Sequence, residues 1–144
     1  MPSHPELDRF VQAQNTVWAT VLTELEAGEK RTHWMWCVFP QMKGLGKSPT
    51  AQQFAIRSLD ESRSYLKHPV LGSRIRQVCE VILGLDGMSA NDIFGWPDEL
   101  KLHSSMTLFA EVAEADSLFG AVLRKYFDGE KDIRTLELLE DASN

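Results

Sequence analysis

The sequence predicts an all-α protein, a compact irregular bundle of short helices forming one domain over residues 1–144. Three observations lead there. Apolar residues recur at spacings of three and four in one segment after another, the period of a helix with one buried face. Ser or Pro heads many of these segments and Gly ends several, where helices start and stop. The connections are too short to divide the chain, and 144 residues suffice for one core without staples.

Pro5 opens a first helix on which Leu7, Phe10 and Val11 share a face. A second is expected from about Thr16 to Ala27, with Val17, Val21 and Leu25 on one side and Gly28 as its stop. The run His33-Trp34-Met35-Trp36-Cys37-Val38-Phe39 closes at Pro40, and periodicity leaves both helix and strand open for it. Met42 to Lys47, with Gly44 and Gly46, reads as a loop. Ser48-Pro49 starts a helix carrying Phe54, Ala55 and Ile56. Ser58-Leu59-Asp60-Glu61 is a capping box for a short helix ending near Lys67. Pro69 begins a helix that runs to about Leu83 and stops at Gly84. Gly87 to Trp96 is a connection with one helical turn after Ser89. Pro97 begins a long helix reaching Ala113 or Ala115. Asp116 or Ser117 caps another that ends at Asp128-Gly129, and Thr135 to Leu139 form a last turn.

Hydrophobic residues at 43% and charged residues at 25% match a folded globular mix and argue against disorder. A net charge of −6 argues against general binding to nucleic acid or to an anionic membrane, although one cleft can still be basic. Cys37 and Cys79 each sit in an apolar stretch and are expected to be buried free thiols. The start of the chain lacks a basic segment followed by an apolar run, and no apolar stretch approaches the roughly 18 residues of a membrane helix. A soluble cytoplasmic protein is expected. No His pair at i, i+4 and no Cys-x-x-Cys points to a metal, and no cofactor is implied. Gly44-Leu45-Gly46-Lys47-Ser48 lacks the first glycine of a Walker loop, and no Gly-x-Ser-x-Gly marks a hydrolase elbow.

What stands out is polar residues where apolar ones belong. On the helix after Pro97, Leu102, Met106, Leu108, Phe109, Val112 and Ala113 gather in one sector, and Asp98, Lys101 and Ser105 project from that same sector. On the helix after Pro69, Arg74 sits between Val78 and Val81 on the inner face. A buried arginine needs a partner, and Asp98, another carboxylate or an anionic ligand would serve. Two accounts compete. An Arg74–Asp98 pair ties two helices together with Lys101 at the rim, or these residues line a small polar cleft. Trp34 and Trp36 diverge on a helix and share a face on a strand, where they could sandwich a planar ring beside His33 as an acid or base. Otherwise they are core. His68, immediately before Pro69, can cap that helix.

These residues also resemble an uncharacterised, chiefly bacterial, helical family, domain of unknown function 1810, whose members often carry the label calpastatin. The matching pieces are Leu7-Asp8-Arg9-Phe10 with Ala13-Gln14, His33-Trp34-Met35-Trp36 with Phe39-Pro40-Gln41, and Gly44-Leu45-Gly46 with Ser48. Tyr65-Leu66, His68-Pro69-Val70-Leu71-Gly72, Arg74, Ile93-Phe94-Gly95, Asp98, Lys101 and Ser104-Ser105-Met106-Thr107-Leu108-Phe109 continue it, so the resemblance runs from about residue 7 to 139. It implies a compact helical domain and no particular activity. The calpastatin label does not suit the chain, because a disordered inhibitor has no use for such apolar patterning. A looser similarity over about residues 65–127 links the order Gly-x-Arg, Asp-x-x-Lys, Met and Phe to a helical glycosidase-like family of NAD and ADP-ribose chemistry.

Function is therefore expected to be binding or hydrolysis of a nucleotide- or ADP-ribose-like metabolite. Arg74 and Lys101 would hold an anion, Trp34 or Trp36 would stack a ring, Ser105 would line the site, and Asp98 or His33 would move a proton. The competing expectation is a non-catalytic interaction or adaptor domain in which the same polar residues are structural.

Overall fold

The computed structural model describes residues 5–114 and 117–142. A 3-10 turn over Pro5–Leu7 leads into α1 (Asp8–Glu26), followed by α2 (Met35–Val38), α3 (Pro49–Gln53) and α4 (Leu59–Lys67). Then come α5 (Leu71–Leu83), α6 (Ala90–Phe94), α7 (Asp98–Ala110), α8 (Leu118–Phe127) and α9 (Ile133–Ala142). The protein is all-α, and among the described residues the only β pairing is an isolated parallel bridge between Met42 and Ile56.

Serine hydroxyls set the helix starts. Ser48, Ser58, Ser89 and Ser117 accept from the backbone N–H of Ala51, Glu61, Asp92 and Gly120. The reciprocal capping box forms at Ser89 with Asp92. At Ser58 only half of it forms, because Glu61 Oε1 accepts from the Arg57 N–H at 3.1 Å and from Arg9 at 3.3 Å instead. His68 Nδ1 accepts from the N–H of Val70 and Leu71, so it caps α5, which begins at Leu71 rather than Pro69.

Several boundaries differ from the expectation. The two helices expected before Gly28 are one, because nothing from Val11 to Thr16 breaks the ladder and the Thr16 hydroxyl bonds back to Ala13 O at 3.0 Å. The aromatic run becomes a helical turn rather than a strand. α3 stops at Gln53, since Ile56 is drawn into the bridge: its N–H donates to Gln41 O at 2.9 Å and its carbonyl accepts from Lys43 at 2.8 Å. α7 ends at Ala110, which leaves Val112 and Ala113 beyond it. α9 is a full helix, not a single turn. Of the two proposed caps for α8, Ser117 serves, and Asp116, like Ala115, lies outside the described residues.

α5 and α7 occupy the middle. α5 packs on α1, α4 and α8, and α7 packs on α4, α6, α8 and α9. An aromatic chain runs through the core, with Phe54 on Phe10, Phe10 on Tyr65, Tyr65 on Phe109 and Phe109 on Phe119, at centroid distances of 5.2–5.7 Å. Cys37 and Cys79 are buried free thiols, as expected, and burial pushes the Cys37 thiol up to about 12 and Cys79 in the same direction. Lys125 and Tyr126 of α8 close the end of α5. The ammonium donates to the carbonyls of Leu83 and Leu85 and the phenol to that of Ile82.

The α4–α5 corner depends on one missing side chain. A Cβ on Gly72 would lie 2.1 Å from Leu66 O and 2.9 Å from Arg76 Nη1. Arg76 Nη1 occupies that space, donating to Leu66 O and Gly72 O at 3.1 Å each. Gly72→Ala should therefore cost about 1–3 kcal/mol in urea denaturation by overpacking. Gly84→Ala, whose Cβ would meet nothing closer than 3.4 Å, should change stability by less than about 1 kcal/mol. Equal effects at the two positions would contradict this reading of the corner.

Candidate functional site

The site is built outward from Glu24, a carboxylate on the inner face of α1 and 8% exposed. Its Oε1 accepts from the backbone N–H of Arg31 at 2.7 Å, that of Thr32 at 3.0 Å and the Trp34 indole N–H at 3.0 Å. Its Oε2 accepts from the Thr32 hydroxyl at 2.7 Å. Burial pushes the carboxyl up, but the Arg31, Thr32 and Trp34 donors together outweigh it and hold the pKa at about 2, against an ordinary 4.5. This cage shapes the turn between α1 and α2 and thereby places Lys30.

Lys30 is the second element. Its ammonium lies 2.8 Å from Asp98 Oδ2, donates to Thr32 O at 2.6 Å and stands over the Trp34 ring at 5.1 Å. Asp98 Oδ1 in turn pairs with Lys101 at 3.3 Å, one turn along α7. Side-chain exposure falls from 39% for Lys101 to 18% for Asp98 and 6% for Lys30, so the trio runs from the surface inward. Among the described residues Asp98 is the only carboxylate paired with either lysine, so the trio carries one positive charge in excess.

Lys101 opens onto a cavity of about 250 Å³ that it shares with Trp36, Gln41, Met42, Phe54 and the loop residues Gly46, Lys47 and Ser48. Trp36 packs on Phe54 at 4.4 Å. The loop is held against this wall by the Met42–Ile56 bridge, and Gly44 within it takes a φ of 107°, a conformation that suits glycine. The cleft thus combines two ammonium groups, a serine and an indole. Among the described residues no group of three His, Cys, Asp or Glu is placed to hold a metal ion.

The structure brings together only part of the predicted set. Trp36 and Lys101 line the cleft, and Asp98 stands behind Lys101. Trp34 does not join Trp36, because on the helical turn they diverge and Trp34 is fully enclosed, with its N–H on Glu24. His33 is exposed and stands outside the cleft wall. Arg74 does not pair with Asp98. It donates to Gln14 Oε1 at 3.3 Å and Asn15 Oδ1 at 2.9 Å and lies over the Trp18 ring at 5.1 Å, all on α1. Ser105 is fully buried on α7 and its hydroxyl has no partner among the described residues. Lys47 and Ser48, set aside as a phosphate loop because the first glycine of a Walker motif is missing, are in the cleft wall. Their signal was the glycine pair beside them, which shapes the loop.

The fold and cleft define a small all-helical protein with a cation-bearing surface pocket. The chain belongs to the DUF1810 family, described as proteins of unknown function, whose profile matches residues 4–139. Its structure is similar to the crystal structure of the conserved hypothetical protein Rv1873 from Mycobacterium tuberculosis, at 50% sequence identity and a TM-score of 0.92. That similarity covers 94% of this chain and 96% of the other. No protein of curated function matches the chain.

Two measurements probe this architecture. Because the Glu24 pKa is depressed in the fold, its contribution is present above the ordinary value near 4.5 and disappears as pH falls toward 2. Glu24→Gln should lose on the order of 1.5–3 kcal/mol at pH 7 and flatten the stability decline between those two values. An unaltered decline would show that Glu24 is not the anchor. Ser105→Ala removes a buried hydroxyl without a partner and should raise stability by about 1 kcal/mol in chemical denaturation. A loss of that size would mean the hydroxyl is bonded in solution.

Proposed function

We propose that this protein binds a small phosphate-bearing metabolite, of nucleotide or ADP-ribose type, in the cleft between the 44–48 loop and α7. The observation that carries the reading is the excess positive charge of the Lys30–Asp98–Lys101 trio, presented by Lys101 beside Lys47, Ser48 and the Trp36 indole. Ammonium groups and a hydroxyl suit phosphate oxygens, and an indole suits a sugar or base. The volume lies just below the range of drug-sized ligand sites, which favours a ribose-phosphate portion over a whole dinucleotide. N-glycosidic hydrolysis would ask Asp98 to activate water or steady an oxocarbenium-like centre. Both its oxygens face ammonium groups, an arrangement that supports holding charge rather than passing a proton.

Thermal-shift titration with ribose 5-phosphate, AMP and ADP-ribose at millimolar concentration tests this. At least one should raise the Tm by about 2–6 °C, and Lys101→Ala should abolish the rise. A flat response to all three, or a rise that survives Lys101→Ala, would remove the proposal. The non-catalytic interaction domain would then be the better account, with Trp96 at 76% exposure and Leu100 at 52% as its available anchors at the start of α7.

A further inference from the structure

A second cavity lies on another part of the molecule, where α4 and α5 meet residues 112–114 and the start of α8. At about 620 Å³ it is more than twice the size of the first. Arg63, Lys67 and Arg76 line it, with Leu66, Val112 and Leu118 as apolar surface and Glu114 as the one lining carboxylate among the described residues. Arg63 pairs with Asp60 at 2.7 Å, but this is an exposed i, i+3 pair of little strength. Lys67 and Arg76 have no ion pair among the described residues, and Glu114 takes none with any of the three cations. Three like charges therefore share one concavity of an acidic protein, and among the described residues only the exposed Asp60 pairs with any of them.

Arg76 is held in place. Both bonds from its Nη1 go to backbone carbonyls, Leu66 O and Gly72 O, in the space that glycine leaves free. Fixing one guanidinium nitrogen against the α4–α5 corner restricts the orientation of the rest, so less conformational freedom is lost when an oxyanion arrives. Lys67 and Arg63 come from the last two turns of α4 at i, i+4 spacing, which places both over the same face.

We infer that this cavity is a second binding site, for a small amphiphilic oxyanion: a phosphate or carboxylate head held by Arg63, Lys67 and Arg76, with an apolar body against Leu66, Val112 and Leu118. Phosphate is the better head, because it can accept from a guanidinium fork and an ammonium together. The volume falls within the range of sites that enclose a drug-sized ligand.

Isothermal titration of the full chain with inorganic phosphate, phenyl phosphate and octanoate tests the inference. Phenyl phosphate should bind at least tenfold more tightly than inorganic phosphate, which supplies the head without the body. Octanoate as the tighter amphiphile would support a carboxylate source for the same site. The double variant Arg63→Ala/Lys67→Ala, which alters exposed side chains and leaves the Arg76 anchor intact, should weaken binding tenfold or more. The binding that this double variant weakens should persist in Lys101→Ala, which removes any contribution of the cleft on α7 and so separates the two sites. Measured in the Lys101→Ala background, absence of amphiphile binding, no effect of Arg63→Ala/Lys67→Ala, or no preference for either amphiphile over inorganic phosphate would each overturn it.

Discussion

The arrangement of the N-terminal half depends on one buried carboxylate. Glu24 gathers four donors from a turn that would otherwise leave two backbone N–H groups, a hydroxyl and an indole N–H to find partners separately. Low local dielectric makes such a network strong when complete and costly when any member is missing. Its consequences spread along the chain. The turn delivers Lys30 to Asp98 at the head of α7, it seals Trp34 into the core, and it starts α2, which sends Trp36 outward to the cleft. The same carboxylate therefore sets both a piece of the core and one wall of the candidate site.

A comparable device ties α1 to the far side. Gln14, 1% exposed, donates to Cys37 O at 2.7 Å and to the Tyr65 phenol at 3.1 Å while its oxygen accepts from Arg74. One amide thus joins α1, α2, α4 and α5, and Arg74 completes it from a half-buried position while stacking on Trp18. The polar residues on inner faces therefore divide into two kinds. Glu24, Gln14 and Arg74 are satisfied within the protein and specify how helices meet. Lys101, half-exposed at the head of α7, instead shares Asp98 with Lys30 and opens onto the cleft.

Local chemistry made much of the fold legible. Serine at 48, 58, 89 and 117, glycine at 84 and the break after Phe127 each act within one helical turn, so their signals survive in the bare sequence. The continuity of α1 has no local signal, because the polar run Gln14-Asn15-Thr16 interrupts the apolar pattern when its neighbours in space are unknown. The candidate site was half legible. A wheel shows that Asp98, Lys101 and Arg74 face inward, but partner choice depends on which helix each inner face meets. α1 meets Arg74 with Gln14 and Asn15, whereas the 29–34 turn meets Asp98 with Lys30. The 44–48 loop gains its place from a bridge to Ile56, a contact that no local pattern announces.

The four tryptophans stand in four different surroundings: Trp34 enclosed on a carboxylate, Trp18 beneath a guanidinium, Trp36 half-buried on a cleft wall and Trp96 largely in water. Ultraviolet emission from this protein is consequently a sum of unlike spectra, blue from the sealed indole and red from the solvated one. Only the Trp36 share reports directly on the cleft. Replacing Trp96 with phenylalanine would strip away the most water-exposed background and sharpen that optical view.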